Sequence, residues 1–338
     1  MSDNCCIVLD RLVEGAPRPE DFRLERRPLP EPGAGEMLVR NLFASVDPGS
    51  RGRLSGRASY APPLRPGQVM EAQTVGLVVQ SDGGRFAEGD LVAGALGLRE
   101  FAVTKGRGMR RIADWEQPIS TAIGIYGTPG MTAYFGMLDV GQPEPGQTVL
   151  VSAAAGTVGS AAGQLAALRG ARVVGIAGGA EKCRYLREAL GFAGAIDYKA
   201  ADDLADAIGE TCPDGVDVYF DNVGGVILQT ALGHMADGGR IVICGQISQY
   251  NREGTAPEGL VDPHPFIYRR LRMQGFVVFD YADRFEAARR EMRGWIEAGR
   301  LQFREHVLDG LERAPEAYSG LFQGENFGRG LVRIGELA

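Results

Sequence analysis

The sequence has neither a long hydrophobic run nor an excess of positive charge. No stretch approaches the ~18 uninterrupted apolar residues of a membrane-spanning helix, and the first apolar patch is short and broken by Asp10 and Arg11. We therefore expect no signal peptide, no membrane contact and a cytoplasmic protein. With 36 basic against 43 acidic residues, the net charge of −7 offers no positive surface for nucleic acid. Small molecules are the partners that this composition predicts.

Histidine and closely spaced cysteine ligands are also scarce. The three histidines all lie late in the chain, and none of the five cysteines forms a C-x-x-C pair. We predict no metal site, because catalytic zinc needs Cys and His ligands at suitable positions. The cysteines are expected to be free thiols. A hydrolase is also disfavoured, because the sequence has no G-x-S-x-G or H-E-x-x-H motif to supply a nucleophile or a metal.

The 338 residues suffice for two domains of ordinary size. Residues 1–125 alternate short apolar runs with Pro- and Gly-rich turns, which is typical of a compact β-barrel. From Thr148 onward, apolar runs alternate with helical patterns, which predicts an α/β domain with a parallel, doubly wound sheet over 126–309. We expect no further strand–helix unit in 310–338, which could be a strand returning to complete the first domain. The strands predicted for the second domain are Thr148–Ala153, Arg172–Ala177, Ala195–Tyr198, Asp217–Val223, Arg240–Cys244 and Gly275–Phe279.

The first of these strands is followed at once by a glycine-containing turn and a helix. Gly156 and Gly159 stand where a dinucleotide-binding turn needs close approach to the pyrophosphate and tight helix packing, although Ala154 replaces the first glycine of that pattern. The alanine-rich helix that follows can lie close to the sheet with its N-terminal amides aimed at phosphate. The pattern predicts dinucleotide binding, and the alternative is a tight turn with a purely structural role.

The next strand predicts which dinucleotide is bound. A coenzyme lacking the 2′-phosphate usually meets an Asp or Glu at the end of this strand, but here the chain reads Ala177-Gly178-Gly179. Without a carboxylate to repel it, a 2′-phosphate can enter, and Lys182 could supply a charge to pair with it. The sequence therefore favours NADP over NAD. The alternative for Lys182 is a solvated lysine at the start of a helix.

Several motifs in order resemble the zinc-independent medium-chain dehydrogenases/reductases, in particular the group of prostaglandin reductases, leukotriene hydroxydehydrogenases, plant double-bond reductases and curcumin reductases. They are Ser45–Pro48, Gly130–Gly136, Ala153–Ser160, Asp221–Gly225, Cys244–Asn251 and Gly324–Asn326, and the resemblance covers nearly the whole chain. It implies a GroES-like β-barrel catalytic domain beside a Rossmann domain. It also implies a homodimer that uses NADPH to reduce the carbon–carbon double bond of an α,β-unsaturated aldehyde or ketone.

The resemblance also implies roles for individual residues. Tyr250 matches a tyrosine near the substrate carbonyl, where a hydroxyl donor would stabilise the enolate formed when hydride reaches the β-carbon. The alternative is a surface tyrosine, with a cofactor ribose hydroxyl or a water as donor. The residues predicted to contact the cofactor are Ala155, Gly156, Thr157, Val158, Gly159, Gly178, Lys182, Tyr198, Asn222, Cys244, Gly245, Ile247, Tyr250, Phe276, Val277, Val278 and Asn326.

The predicted substrate pocket departs from the family pattern. Its residues are Asp47, Gly49, Arg51 and Tyr126, and Gly49 stands where much of the family has an aromatic ring. The missing ring could admit bulkier substrates, or an arginine at this wall could approach an acidic group. Two other functions remain open at this point: an NADPH:quinone reductase of the same superfamily, and a non-catalytic NADPH-binding sensor.

Overall fold

The computed structural model describes residues 3–56, 62–252 and 262–337. Two compact units divide the chain: the first is formed by 1–127 with 305–338, and the second by 128–304. The strands are β1 (Asp3–Leu9), β2 (Phe22–Pro28), β3 (Met37–Ser45), β4 (Thr74–Ser81), β5 (Leu91–Gly94), β6 (Phe101–Thr104), β7 (Arg110–Arg111), β8 (Thr148–Val151), β9 (Arg172–Ala177), β10 (Gly194–Asp197), β11 (Val216–Asp221), β12 (Met235–Ile243), β13 (Arg272–Gly275), β14 (Glu305–Asp309) and β15 (Arg329–Arg333). The α-helices are α1 (Arg51–Leu54), α2 (Thr128–Phe135), α3 (Thr157–Leu168), α4 (Ala180–Glu188), α5 (Leu204–Thr211), α6 (Gly225–Gly233), α7 (His264–Tyr268), α8 (Phe285–Glu297) and α9 (Ala314–Gln323).

The first unit is built on antiparallel strands. Its larger sheet has the order β14-β15-β3-β4-β5-β7, with β6 also pairing with β3, and β1 pairs with β2 in a separate ribbon. Strand β3 is buried along most of its length, and its apolar side chains contribute to cores on both faces. Short strands joined by Gly- and Pro-rich turns therefore form the compact β domain of the predicted fold class.

The C-terminal segment corrects one prediction. Strands β14 and β15 pair in parallel and are separated by α9, so a strand–helix–strand unit begins at Glu305, just before this segment, and ends within it. Both strands are short, and β14 carries only two aliphatic residues among polar ones, so the sequence lacks the apolar run by which such units are recognised. The other half of the expectation is confirmed, because β15 returns to pair antiparallel with β3.

The second unit contains a parallel sheet in the order β10-β9-β8-β11-β12-β13. Counted within this sheet, the strand order is 3-2-1-4-5-6, the doubly wound arrangement of dinucleotide-binding domains. All four residues of β8 and most of β9 and β11 are buried, as expected for central strands covered on both faces. The predicted α/β fold class is confirmed. The chain order reverses between β8 and β11, where ligands bind in such sheets.

The last strand of this sheet differs from its prediction. The expected strand was Gly275–Phe279, but β13 covers Arg272–Gly275 and pairs with Arg240–Ile243 of β12. The apolar residues that suggested a strand follow it, and Val278 begins a 3₁₀ turn. Strand β13 lies at the sheet edge and is largely exposed, so its polar sequence gives no buried-strand pattern. Within the described ranges, no helix combines the length and apolar character needed to cross a membrane.

Candidate cofactor and active site

The turn after β8 brings a helix start close to a strand end. Ala153 has a positive φ of 47°, and its carbonyl oxygen accepts a hydrogen bond from Gly156 N at 3.0 Å. A Cβ on Gly159 would lie well inside contact distance of that carbonyl and 2.9 Å from Ala154 Cα. Gly159 therefore has to be glycine for α3 to begin where it does. The predicted phosphate-binding residues Ala155, Gly156, Thr157, Val158 and Gly159 lie on this turn and the first helical turn, where main-chain N–H groups favour an anion.

The end of β9 forms the second part of the candidate site. There is no space for a side chain at Gly178, because a Cβ there would lie 2.9 Å from both Tyr198 Cε1 and Lys199 Cε. Asp197 joins the ends of β9 and β10, since its Oδ1 accepts hydrogen bonds from Gly179 N at 2.8 Å and Lys199 N at 3.1 Å. Gly178 and Tyr198, predicted from different strands, are thus brought together.

Two lysines approach each other at this edge of the sheet. Burial lowers the pKa of Lys182, and the charge of Lys199 lowers it further. A phosphate dianion bound here would stabilise the charged form of Lys182, which burial and Lys199 disfavour. Lys199 was missed at the sequence level, because its nearness to Lys182 depends on the pairing of β10 with β9. These residues fit the extra phosphate of NADPH.

The loops after β11 and β12 hold the next predicted residues together. The side-chain amide of Asn222 donates to Ser152 O at 2.7 Å, which fixes its orientation beside the start of the glycine turn. Ile247 N donates to Asn222 O at 3.3 Å. Cys244 follows β12, and burial, with a contribution from the Asp221 charge, raises its pKa to about 12, so this thiol stays neutral.

Tyr250 folds back over this loop. Its hydroxyl oxygen accepts a hydrogen bond from Gln246 N at 3.4 Å and lies 3.6 Å from the position that a Cβ on Gly245 would take. The same hypothetical Cβ would lie 3.3 Å from Asn222 O. The hydroxyl of Tyr250 is therefore close to the ends of both β11 and β12, and Gly245 keeps this space open.

The segment after β13 packs against Gly136, a glycine to which the sequence analysis gave no function of its own. A Cβ on Gly136 would lie 2.6 Å from Phe276 Cζ and 2.9 Å from Phe220 Cε2. Gly136 begins a π-helical segment, Gly136–Gly141, that continues α2. Phe276 packs inward here, Val277 is exposed and Val278 is buried. The Gly130–Gly136 motif can be seen in the sequence. Only the structure shows that its last glycine makes room for the Phe276 ring.

In the first unit, Asp47 is engaged in an ion pair. Arg329 of β15 contacts Asp47 through both terminal nitrogens, and its Nε donates to Ile123 O at 3.0 Å. Burial by itself would raise the pKa of Asp47, but Arg329 and the Ser45 hydroxyl lower it overall. The Ser45–Pro48 motif thus ties the end of β3 to β15.

Arg51 requires a correction. It is 1% exposed, and its guanidinium donates to the carbonyl oxygens of Val13 and Gly15, the latter at 2.6 Å. The positive charge faces the interior of the first unit, so the prediction that Arg51 lines a substrate pocket is wrong. Arg53, the other arginine considered for this wall, pairs with Glu71.

The remaining predicted residues of the first unit are Gly49, Tyr126 and Asn326. Gly49 lies in a 3₁₀ turn, Pro48–Ser50. Tyr126 is buried, with its ring edge-on to Trp115 at a centroid distance of 5.0 Å. Asn326, predicted to contact the cofactor, donates to Gly328 O at 3.3 Å.

Comparison with known proteins places this arrangement in a class. A model described as the N-terminal domain of oxidoreductase matches residues 6–112, and one described as zinc-binding dehydrogenase matches residues 157–293. Together with the fold, these matches define a medium-chain dehydrogenase/reductase. Within residues 3–56, 62–252 and 262–337, no group of three or more His, Cys, Asp or Glu side chains is arranged to hold a metal ion.

Individual relatives refine the class. The NADPH-dependent curcumin reductase of Escherichia coli is 41% identical, with 97% of this chain and 96% of the relative covered. The NADP(+)-dependent 2-alkenal reductase of Nicotiana tabacum is 40% identical, with 97% and 96% covered. The crystal structure of CurA from Vibrio vulnificus in complex with NADPH superposes with a TM-score of 0.93 at 40% identity, covering 98% and 100% of the two chains. The chain belongs to the zinc-independent reductase group of the medium-chain dehydrogenases/reductases.

Proposed function

We propose that this protein is an NADPH-dependent oxidoreductase that reduces the carbon–carbon double bond of α,β-unsaturated aldehydes and ketones without a metal. The main support is the end of β9, which has no carboxylate and where Gly178 lies against Tyr198 and Lys199, with Lys182 in the first turn of α4. Its relatives include enzymes named for NADPH-dependent curcumin reduction and for NADP(+)-dependent 2-alkenal reduction. Both names describe conjugated carbonyl substrates.

The residues of the second unit would hold the coenzyme at the carboxyl ends of its strands. Main-chain N–H groups of the turn at Ala155–Gly159 would bind the pyrophosphate, as helix starts do. Lys182, Tyr198 and Gly178 would receive the phosphate-bearing ribose. Asn222, Gly245 and the segment Phe276–Val278 would hold the nicotinamide half, for which Asn326 of the first unit remains a predicted contact.

Tyr250 is the proposed hydrogen-bond donor to the substrate. Bound NADPH supplies the hydride that reaches the β-carbon of the substrate. Negative charge then develops on the carbonyl oxygen, and a hydroxyl donor stabilises it until the α-carbon takes a proton. The bond that the Tyr250 oxygen accepts from Gln246 N makes its own O–H a better donor. Gly49 remains the proposed substrate-side residue. Tyr126 is buried and would act only indirectly, as Asp47 would through its ion pair to Arg329.

A substrate panel tests the function. Enones, alkenals, quinones and alcohols are assayed with NADPH and with NADH in parallel. We expect turnover of enones and alkenals with NADPH, and Tyr250→Phe should lower kcat by about tenfold or more with little change in NADPH affinity. Tyr268→Phe, on an exposed tyrosine of α7, is the matched control.

Two results would favour the other functions. Preference for quinones with no effect of Tyr250→Phe would indicate a quinone reductase. Tight NADPH binding without oxidation by any compound of the panel would indicate a sensor.

We also propose that the protein acts as a homodimer in the cytoplasm. Strand β13 is an edge strand, and apolar side chains near it are exposed: Ile267 at 75%, Phe279 at 63% and Val277 at 57%. Such an edge can be covered by the same edge of a second copy. The five cysteines are free thiols, as is usual in a reducing compartment.

Sedimentation analysis tests the dimer. Wild type should sediment as a dimer, and Ile267→Asp should shift it towards monomer. Leu337→Asp, a change of an exposed leucine in the first unit, should leave the dimer intact. A monomeric wild type would contradict the assignment.

A further inference from the structure

A buried carboxylate stands at the end of β11, in the centre of the proposed nicotinamide half of the site. Asp221 is fully buried, and its Oδ1 accepts hydrogen bonds from Tyr219 Oη at 2.7 Å and from Ser152 Oγ at 3.0 Å. Val223 N and Gly224 N also donate to Oδ1, each at 3.0 Å. Two hydroxyls and two main-chain N–H groups therefore converge on one side chain, which acts only as an acceptor.

These bonds connect three neighbouring strand ends. Ser152 comes directly after β8 and immediately before the glycine turn, and its Oγ accepts a hydrogen bond from Asn222 N at 2.9 Å. The main-chain oxygen of Asp221 accepts from Cys244 N at 2.9 Å and from Gly245 N at 3.1 Å, just beyond β12. A single residue thus fixes the loops after β8, β11 and β12 relative to one another.

No Lys, Arg or His forms an ion pair with Asp221 in the part of the chain that the structure describes. The side chain is stabilised instead by oriented neutral dipoles, as buried polar groups require. If the carboxylate were lost, the N–H groups of Val223 and Gly224 would be left without their acceptor and the turn would rearrange to find another. This turn carries Asn222, which is proposed to hold the nicotinamide half of the coenzyme.

We propose that Asp221 is a positioning residue of the coenzyme site: it presets the strand ends that receive the nicotinamide half of NADPH and has no part in holding the 2′-phosphate half. The inference rests on the proposed NADPH site. Asp197 performs the corresponding task on the other side, where it accepts hydrogen bonds from Gly179 N and Lys199 N. The two aspartates divide the positioning of the coenzyme between them.

Calorimetric titration of the full chain with two ligands tests this division. NADPH needs both halves of the site, whereas adenosine 2′,5′-bisphosphate needs only the phosphate half. Asp221→Asn keeps the shape but places an amide NH₂ where Oδ2 accepts a hydrogen bond from Gly224 N at 3.1 Å, so that two donors face each other. It should weaken NADPH binding by about tenfold or more and change bisphosphate binding by less than about twofold.

Asp197→Asn is the matched control and should weaken both ligands. NADPH binding by Asp221→Asn that equals wild type would overturn the inference, and so would equal losses for both ligands. Failure of wild type to bind NADPH would overturn the proposed function instead.

A milder variant decides the matter if Asp221→Asn does not fold. Tyr219→Phe removes one donor to the carboxylate and leaves both main-chain bonds in place. It should weaken NADPH binding by about threefold and leave the bisphosphate unaffected. Unchanged affinity for NADPH in this folded variant would overturn the inference.

Discussion

The two units use their polar groups in different ways. In the second unit, the proposed site consists largely of main-chain turns at strand ends, where Gly159, Gly178 and Gly245 let neighbouring main-chain and side-chain atoms approach closely. In the first unit, the two charged residues predicted for the substrate pocket bind other parts of the fold: Arg51 donates to carbonyl oxygens, and Asp47 pairs with Arg329. Coenzyme binding should therefore depend on backbone geometry in one unit, and stability should depend on internal ion pairing in the other.

The largest expected effect is a loss of NADPH affinity when the glycine turn of the second unit is disturbed. Gly159→Val places side-chain atoms against the Ala153 carbonyl and the Ala154 main chain, so the start of α3 must move. We expect NADPH affinity to fall by about 100-fold or more, because the amides that face the pyrophosphate lose their alignment. Titration with NADPH measures this effect.

Gly233→Ala is the control for this change, since a Cβ at Gly233 meets no atom within 4 Å. Near-normal NADPH affinity in a folded Gly159→Val protein would contradict the dependence of coenzyme binding on backbone geometry in the second unit.

The second-largest expected effect is a loss of stability in the first unit. Arg329→Met removes a guanidinium that is buried against Asp47 and Ile123 O, and we expect a loss of about 3 kcal/mol in the free energy of unfolding. Because the fold lowers the pKa of Asp47, the stabilisation is present above the ordinary aspartate pKa and is lost as pH falls through the lowered value. The variant should therefore differ most from wild type near neutral pH and least in strong acid.

Denaturant unfolding across pH measures this difference. Arg313→Met, which breaks an exposed pair with Glu316, should change the free energy of unfolding far less, because solvent screens that pair. Equal losses of unfolding free energy in the two variants would show that the Arg329–Asp47 pair stabilises the protein no more than an exposed pair does.

Substitution of Lys182 or Lys199 should affect the binding of NADPH and NADH differently. Lys182→Ala and Lys199→Ala should each weaken NADPH by about tenfold, with little effect on NADH, because only NADPH carries the phosphate that they face. Lys105→Ala, an exposed lysine of the first unit, is the control. Equal losses for NADPH and NADH in Lys182→Ala would contradict the phosphate assignment.

The smallest expected effect is a gain of stability in the first unit. Burial raises the pKa of Glu305 despite the opposing effects of Ser120 and Arg329, so the folded protein binds this proton more tightly than the unfolded chain. Wild-type stability should therefore fall as pH rises from the ordinary glutamate pKa through the raised value.

Glu305→Gln escapes this loss and should be more stable by up to about 1 kcal/mol at neutral pH, with no gain in acid. Thermal unfolding at several pH values measures the difference. A gain that persists in acid would point to a cause other than this proton.

The parallel sheet and its coenzyme turn could be predicted because their signals are local. Strand β8 is fully buried and carries the apolar run Val149–Val151, and the turn residues follow it closely. Strands β13 and β14 could not be recognised, because exposed strands carry mixed residues without a buried pattern. Lys199 meets Lys182 only through strand pairing, and the interior direction of Arg51 depends on carbonyls far away in sequence.

The division of the first unit into two chain segments affects how the protein is made. On the ribosome, domains generally fold as units once their residues have emerged. The second unit is complete at residue 304, whereas Phe43–Ser45 of β3 must wait for β15 to supply their antiparallel neighbour. We expect the later-synthesised unit to reach its native state first, leaving an unfinished sheet edge on the nascent chain as a transient target for chaperones and for aggregation.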